Sequence, residues 1–407
     1  MKRTLIIIAV ISLAVSAFAG IGGLPFETLN KGLGIREISM GGAGTANCAG
    51  ANAVFWNPAY LDAMTKNEVY MSVETLFEGA NYDQISFVSP VSVYGGIGAN
   101  VTILNYPSYD IVNGAGTSQG TGSMRDVTGA FGYGKTIFWG VQVGLAAKIF
   151  VKSIDDKAYT SFNADVSLFK PVNDMLDAGI VFKDILPLTL KYSLETEKFT
   201  PSARLGLALK LLDKKLIFAV DGEKYFMDSP IYVYGGAEYG INNMFFLRAG
   251  INTAGEMGGG LGISWQDISL DYGAVVTDYS LSHKFALSYR FGGYDLSLKA
   301  EPEVFSPIGG NRKTYIRISA KMKYNIYKWK VEITDNMGDV VKSWTGSGEP
   351  DTEVIWDGLK TDGMPMKEGE FRAALTVIDE NDVPVKSDPI KIKISNNDTF
   401  NIPLQGD

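Results

Sequence analysis

Arg204-Leu205-Gly206-Leu207-Ala208-Leu209-Lys210-Leu211 sets a leucine between every polar or small residue. Successive side chains of an extended strand point to opposite faces, so one face of this segment is all leucine. The other carries Arg204, Gly206, Ala208 and Lys210. The pattern recurs from residue 66 to residue 293, broken by turn signals and never interrupted by a long apolar run. A soluble sheet reads the same way over a few strands. About fourteen recurrences behind an export signal fit a membrane barrel, with apolar side chains toward lipid and polar or small ones toward the lumen.

The export signal is read from Met1-Lys2-Arg3, the apolar stretch Leu5 to Val15 and the small-x-small site Ala17-Phe18-Ala19. Residues 1–19 are therefore expected to be a cleaved signal peptide. The apolar stretch is short of the roughly 20 residues that a spanning helix needs, so a membrane would be crossed by strands. The lone Cys48 excludes an intramolecular disulfide and reads as a small buried residue. A formal charge of −8 argues against a nucleic-acid partner. The 46 glycines and 20 tyrosines suit tight turns and aromatic girdles at the membrane interfaces.

Fifteen candidate strands are legible: residues 68–75, 83–89, 93–104, 125–134, 137–152, 160–170, 176–183, 188–194, 202–211, 215–225, 231–240, 244–252, 258–265, 268–276 and 283–291. Single-chain bacterial barrels have even strand numbers, and Leu188–Leu194 is the weakest candidate, so about fourteen are expected. Charged residues fall on the polar phase, and Lys148, Arg204, Lys210, Arg248 and Arg290 are the candidate lumen-facing cations. Toward lipid each would cost about 2–4 kcal/mol at mid-bilayer. Residues 105–124 read as a long polar loop.

Before the strands, residues 34–61 are rich in Gly and Ala and end in the turn-forming Asn57-Pro58. Small residues let a backbone pack closely in a confined space. The run Met40-Gly41-Gly42-Ala43-Gly44-Thr45-Ala46, followed by Ala53-Val54-Phe55-Trp56-Asn57-Pro58-Ala59-Tyr60-Leu61, resembles the opening of the PorV/PorQ and UPF0164 families of FadL-like outer-membrane barrels. The last strand, ending at Phe291-Gly292-Gly293, is similar to the family's closing strand. The resemblance implies a fourteen-stranded barrel whose N-terminal segment, residues 20–65, folds into the lumen as a plug. Met40, Gly41, Gly42, Gly44, Trp56, Asn57 and Pro58 carry the motif, and both a sealing and a gating role stay open for it. FadL-type relatives pass fatty acids or other hydrophobic molecules; PorV-type relatives are scaffolds in secretion. Passage of hydrophobic or small amphipathic solutes across the outer membrane of a diderm bacterium is the first expectation, and a secretion or envelope scaffold is the alternative.

After residue 293 the composition shifts. Residues 294–300 read as a linker, and short strands at 315–320, 328–335, 340–345, 352–356, 369–379 and 389–394 suggest an Ig-like β-sandwich over 301–395. Phe305-Ser306-Pro307, Trp356-Asp357-Gly358, Asp362-Gly363 and Gly369-Glu370-Phe371 resemble the FlgD-type Ig-like domain. That implies a protein-contact module, with a periplasmic or secreted partner. Strand parity would put it on the periplasmic side, and residues 396–407 are a tail. The fold class expected is thus all-β: a transmembrane antiparallel barrel with an N-terminal plug, then a small Ig-like sandwich. The partners expected are outer-membrane lipid and a hydrophobic ligand.

Gly129-Ala130-Phe131-Gly132-Tyr133-Gly134-Lys135-Thr136 formally matches a phosphate loop, but residues 137–152 after it alternate as strand, whereas the mechanism needs a helix there. With His283 alone, no serine elbow and Cys and His nearly absent, neither an enzyme nor a cofactor or metal site is expected. Asp335, Asp339, Asp357 and Asp362 read as turn caps in preference to calcium ligands.

Overall fold

The computed structural model describes residues 32–395, apart from 77–78, 92–93, 193–194, 228, 243, 278–279, 308–311, 323–324 and 381–383. The signal-peptide and tail readings lie outside the described residues. The chain divides into two compact units, Met1–Phe291 and Gly292–Asp407.

Among the described residues of the first unit two short α-helices, α1 (Ile35–Ser39) and α2 (Ala53–Trp56), precede β1 (Asn67–Thr75), β2 (Asn81–Pro90), β3 (Gly96–Asn105), β4 (Tyr109–Val112), β5 (Ser118–Gly122) and β6 (Met124–Thr136). The order continues through β7 (Gln142–Ile154), β8 (Lys157–Pro171), β9 (Leu176–Lys183), β10 (Thr189–Tyr192), β11 (Glu195–Lys198), β12 (Ser202–Leu211) and β13 (Leu216–Tyr225). It ends with β14 (Ile231–Gly240), β15 (Phe245–Asn252), β16 (Met257–Trp265), β17 (Ile268–Val276) and β18 (Leu281–Phe291). Fourteen of these close into an antiparallel barrel, each strand beside its neighbour in sequence apart from the two small hairpins, and β1 pairs with β18. Closure leaves no edge, which is what a strand structure in lipid requires.

The leucine face of β12 is the outer face: Leu205, Leu207 and Leu209 are 58%, 45% and 38% exposed, while Arg204 and Ala208 are buried. The same sorting holds along β7, with Leu145 and Ile149 outward and Ala146 and Phe150 buried. Asn67 opposes Phe291, so both ends of the barrel chain leave at one rim. That rim has short turns, such as Gln266-Asp267, where Gln266 takes the left-handed φ of 54° that a two-residue hairpin turn requires. The opposite rim carries the long connections, residues 106–123 and 184–201.

Two readings need correction, and the weakest of the fifteen candidates, Leu188–Leu194, is the one that lies outside the barrel. Its core forms β10, which pairs only with β11, in a segment too short for the roughly 9–11 residues of a spanning strand. The polar loop at 105–124 contains the β4–β5 hairpin, turned where the Asn113 side chain accepts from the amides of Ala115 and Thr117, both at 3.0 Å. Residues 294–300 are not a linker: they lie in strand β19 (Tyr294–Glu301), because Leu298 and Ala300 alternate into the core of the second unit.

That unit continues with β20 (Val304–Phe305), β21 (Thr314–Met322), β22 (Ile326–Thr334), β23 (Val340–Ser347), β24 (Glu353–Trp356), β25 (Gly369–Asp379), β26 (Pro384–Lys386) and β27 (Ile390–Ile394). One sheet runs β19-β21-β24 and the other β20-β27-β25-β22-β23, with β26 on β25. Leu298, Ile316 and Val354 of the first pack with Val331, Ile333, Leu375 and Ile392 of the second in one core. Trp356 stands edge-on to Phe305 and Phe371 in that core, and its indole N–H donates to the Leu359 carbonyl at 3.0 Å.

Replacing Leu207 by Arg should weaken barrel folding into phospholipid vesicles by about 2–4 kcal/mol, read from denaturant titration. Trp356→Ala removes a fully buried ring, and should destabilise the second unit by about 3–5 kcal/mol while the heat-modifiable migration of the barrel stays unchanged.

Candidate functional site

The inward faces of the strands enclose residues 33–62. Small residues make this possible. A methyl added at Gly144 would fall on the backbone of Pro58 and Ala59, and one at Gly250 on that of Met40 and Gly41. Gly236 meets Met40, Gly258 meets Ile38 and Ser39, and Gly179 meets Thr45 in the same manner. Glycines of the wall thus form seats for the segment's main chain around the ring.

Polar contacts then fix it. The amides of Gly44 and Thr45 donate to Asp221 Oδ2 at 3.0 and 2.9 Å. Arg204 donates to Asp221 at 3.0 Å and to Glu223 at 3.2 Å, and also to the Gly42 carbonyl. Its guanidinium lies 3.9 Å from the Tyr234 ring centre and 5.0 Å from that of Trp56. Farther round, Arg36 makes a forked pair with Glu238, both contacts at 2.8 Å, and Arg248 donates to the same carboxylate at 2.6 Å. Charges this deep need such pairing, since an isolated buried ion is far costlier than a paired one.

The motif residues take distinct places in this arrangement. Met40 is fully buried, Gly41 lies against the backbone of Ile251, and Gly42 has a left-handed φ of 87° beside the Tyr234 ring. Gly44 supplies its amide to Asp221 and crowds the Trp56 indole. Trp56 Nε1–H donates to the Leu33 carbonyl at 2.8 Å. Asn57 donates through Nδ2 to the carbonyls of Thr45 at 2.8 Å and Leu168 at 3.1 Å, while its Oδ1 accepts from the Ala59 amide at 3.1 Å. Pro58 begins the following 3₁₀ turn, Pro58–Ala63, where a missing amide costs nothing.

Among the cations read from the sequence, Lys148 stands between Asp165 at 2.7 Å and Asp184 at 2.6 Å. Lys210 pairs with Asp177, and Arg248 with Asp271 as well as Glu238. Arg290 donates to the hydroxyls of Ser264 at 3.0 Å and Ser269 at 3.3 Å. Cys48 is buried. The phosphate-loop match at Gly129–Thr136 lies within strand β6.

Lys183, at the end of β9, escaped the sequence reading. The apolar run Ile180-Val181-Phe182 before it hides the alternation, although Val181 is buried and Phe182 exposed. Lys183 is 9% exposed, lies 5.0 Å from the Phe55 ring centre and 5.6 Å from that of Trp56, and has no hydrogen bond or ion pair among the described residues. It lines a cavity of about 20 Å³ between plug and wall, with Leu33, Val54, Phe55, Tyr82 and Ala130 at the apolar side and Lys148 and Asp165 beside it.

No family model matches the chain, and no curated protein matches it. Among solved structures it is similar to a TodX monoaromatic hydrocarbon channel mutant, at 14% identity over 64% of this chain and 98% of that one, with a TM-score of 0.50. It is similar too to the Pseudomonas putida toluene transporter TodX, at 13% identity over 64% and 98%, with a TM-score of 0.49. A Pseudomonas aeruginosa FadL homologue matches at 9% identity over 63% and 97%, with a TM-score of 0.45. At such identities the first likeness speaks for the fold alone: that of a closed antiparallel β-barrel.

Arg204→Met leaves Asp221 and Glu223 buried without their shared cation, a change that should cost about 3–5 kcal/mol. Hydrogen exchange should accelerate at the amides of residues 42–57 while those of β12 and β13 stay protected. Equal acceleration in both would mean that Arg204 holds the wall itself.

Proposed function

We propose that the chain is an outer-membrane barrel that admits hydrophobic and small amphipathic solutes past its plug. The observation that carries the reading is Lys183. It is a cation held among Phe55 and Trp56, lining a cavity where Leu33, Val54, Phe55 and Ala130 meet Asn100, Thr102 and Thr128, with no paired carboxylate among the described residues. Such a place suits a solute with an apolar body and an anionic end. The channel barrels of similar fold, described by the hydrocarbons they pass, support passage over the scaffold reading. The cavity of about 20 Å³ has room for about one water, so the described conformation is a closed one and a solute enters only as the surroundings move.

The plug's own anchoring fits this role. Its contacts are dispersed hydrogen bonds and ion pairs with the wall, which can be exchanged locally without opening the β ladder. The apolar outer face supports outer-membrane placement. For residues 301–395, the Ig-like reading and a periplasmic position rest on the two-sheet core and on the shared rim at which both barrel ends leave.

Purified barrel in detergent should bind decanoate more tightly than decanol, by isothermal titration. Lys183→Met should remove about 1.5–3 kcal/mol from decanoate alone, roughly ten- to a hundredfold in affinity. Equal binding of the acid and the alcohol by the native protein would sink the reading.

A further inference from the structure

The two strands that close the barrel carry a pair of opposite charges that do not meet. Glu68 of β1 and Arg290 of β18 stand directly opposite in the ladder, on the inward phase of both strands. Residues so placed have Cβ atoms about 4.5–5.5 Å apart, close enough for a cross-strand ion pair. Their side chains turn apart instead. Arg290 donates through Nη2 to the hydroxyls of Ser264 at 3.0 Å and Ser269 at 3.3 Å. Glu68 accepts the Ala51 amide of the plug through Oε1 at 3.2 Å. A methyl at Gly50 would fall on that carboxylate, so bare plug backbone is what lets Glu68 reach it. Among the described residues, Nε and Nη1 of Arg290 and Oε2 of Glu68 have no hydrogen bond, and neither residue makes an ion pair.

Both side chains line a cavity of about 190 Å³ between the plug and strands β1 and β14 to β18. That is more than ten times the roughly 10–15 Å³ that one water needs, so the space takes a small molecule as well as solvent. It lies toward the short-turn rim, where Glu68 is the second residue of β1 and Arg290 the last but one of β18. The charges around it decide what can enter. Arg36, Arg248 and Arg290 against Glu37, Glu68, Glu238 and Asp271 sum to −1. Arg36 and Arg248 share Glu238, and Arg248 also holds Asp271, so those four neutralise one another. Arg290, Glu68 and the buried Glu37 remain, the last bound by the Ala49 amide at 3.2 Å. A lone carboxylate entering here would add to a negative excess in a poorly hydrated space, which is costly. A lone ammonium would meet Glu68 but leave the open donors of Arg290 without an acceptor. A group with both signs answers both ends and leaves the sum unchanged. Phe246 and Tyr70 add ring surface to the same cavity.

We propose that this cavity is a second binding site, for a zwitterion of amino-acid size with an apolar side chain. Its carboxylate takes the open donors of Arg290, its ammonium meets Glu68, and its side chain lies against Phe246 and Tyr70. The site is distinct from the one at Lys183, since no residue lines both cavities. Selectivity comes from the separation of the two wall charges. A solute with one charged end engages one of them, and only a solute with both ends engages the pair.

The test is isothermal titration of the full chain in detergent with leucine, with isocaproate, which lacks the ammonium, and with isoamylamine, which lacks the carboxylate. Leucine should bind about tenfold or more tighter than either analogue. Leucine that binds no better than the analogues, or not at all, overturns the proposal. Glu68→Gln and Arg290→Met should each weaken leucine by about tenfold. Glu68→Gln should also bring isocaproate level with leucine, and Arg290→Met should do so for isoamylamine, shifts that a general loss of folding does not produce. Variants that keep heat-modifiable migration and bind leucine as the native chain does overturn the proposal. Lys183→Met should leave leucine binding unchanged. Loss of leucine binding in that variant would mean that leucine uses the Lys183 cavity, which overturns the second site as well.

Discussion

The pairing of Asn67–Thr75 with His283–Phe291 is the contact on which everything else in the first unit rests. Without it the sheet would keep two edges of unpaired amides and carbonyls in hydrocarbon, each costing several kcal/mol. With it, every strand has two neighbours and the wall becomes a surface with only an inside and an outside. The alternation along each strand then has a fixed meaning. Leu205, Leu207 and Leu209 meet lipid, and Arg204, Asp221, Glu238 and Arg248 are confined to the lumen.

Confinement creates the second problem, which the plug answers. A ring of inward charges cannot stay dry unless the charges neutralise one another and their remaining hydrogen-bonding groups are met. Arg204 joins Asp221, Glu223 and the Gly42 carbonyl, and Arg36 of the plug joins Glu238 of the wall. The glycine seats are the steric half of the same fit, since a side chain at Gly144 or Gly250 would occupy the space of plug backbone. Lys183 makes no ion pair among the described residues, and it lines the small cavity together with Lys148 and Asp165.

The barrel was legible because lipid enforces period two over every spanning strand, so the signal repeats and errors average out. Leu188–Leu194 enters as the weakest candidate because an alternating segment only four residues long in its paired part satisfies the same pattern without crossing anything. Residues 294–300 misled for the opposite reason. Asp295, Ser297 and Lys299 make the segment look polar, although Leu296, Leu298 and Ala300 give it a core face. The motif Met40–Ala46 with Ala53–Leu61 marked the segment that occupies the lumen, but which wall residue meets which plug atom was not in it. Asp221 and Gly44 are 177 residues apart, a pairing that only closure of the ring brings about.

By itself the sequence determined the class of fold, the number of spanning strands and which phase of each strand is apolar. These follow from local periodicity and from the evenness of a single-chain barrel. Tertiary structure decided the rest. It paired Lys148 with Asp165 and Asp184, and set Lys183 against aromatic rings with no carboxylate paired to it among the described residues. It seated the plug on glycines of strands distant in sequence. The reason is physical: burial and neutralisation are properties of a place in the ring, and strand register places side chains there from segments that the linear chain keeps far apart.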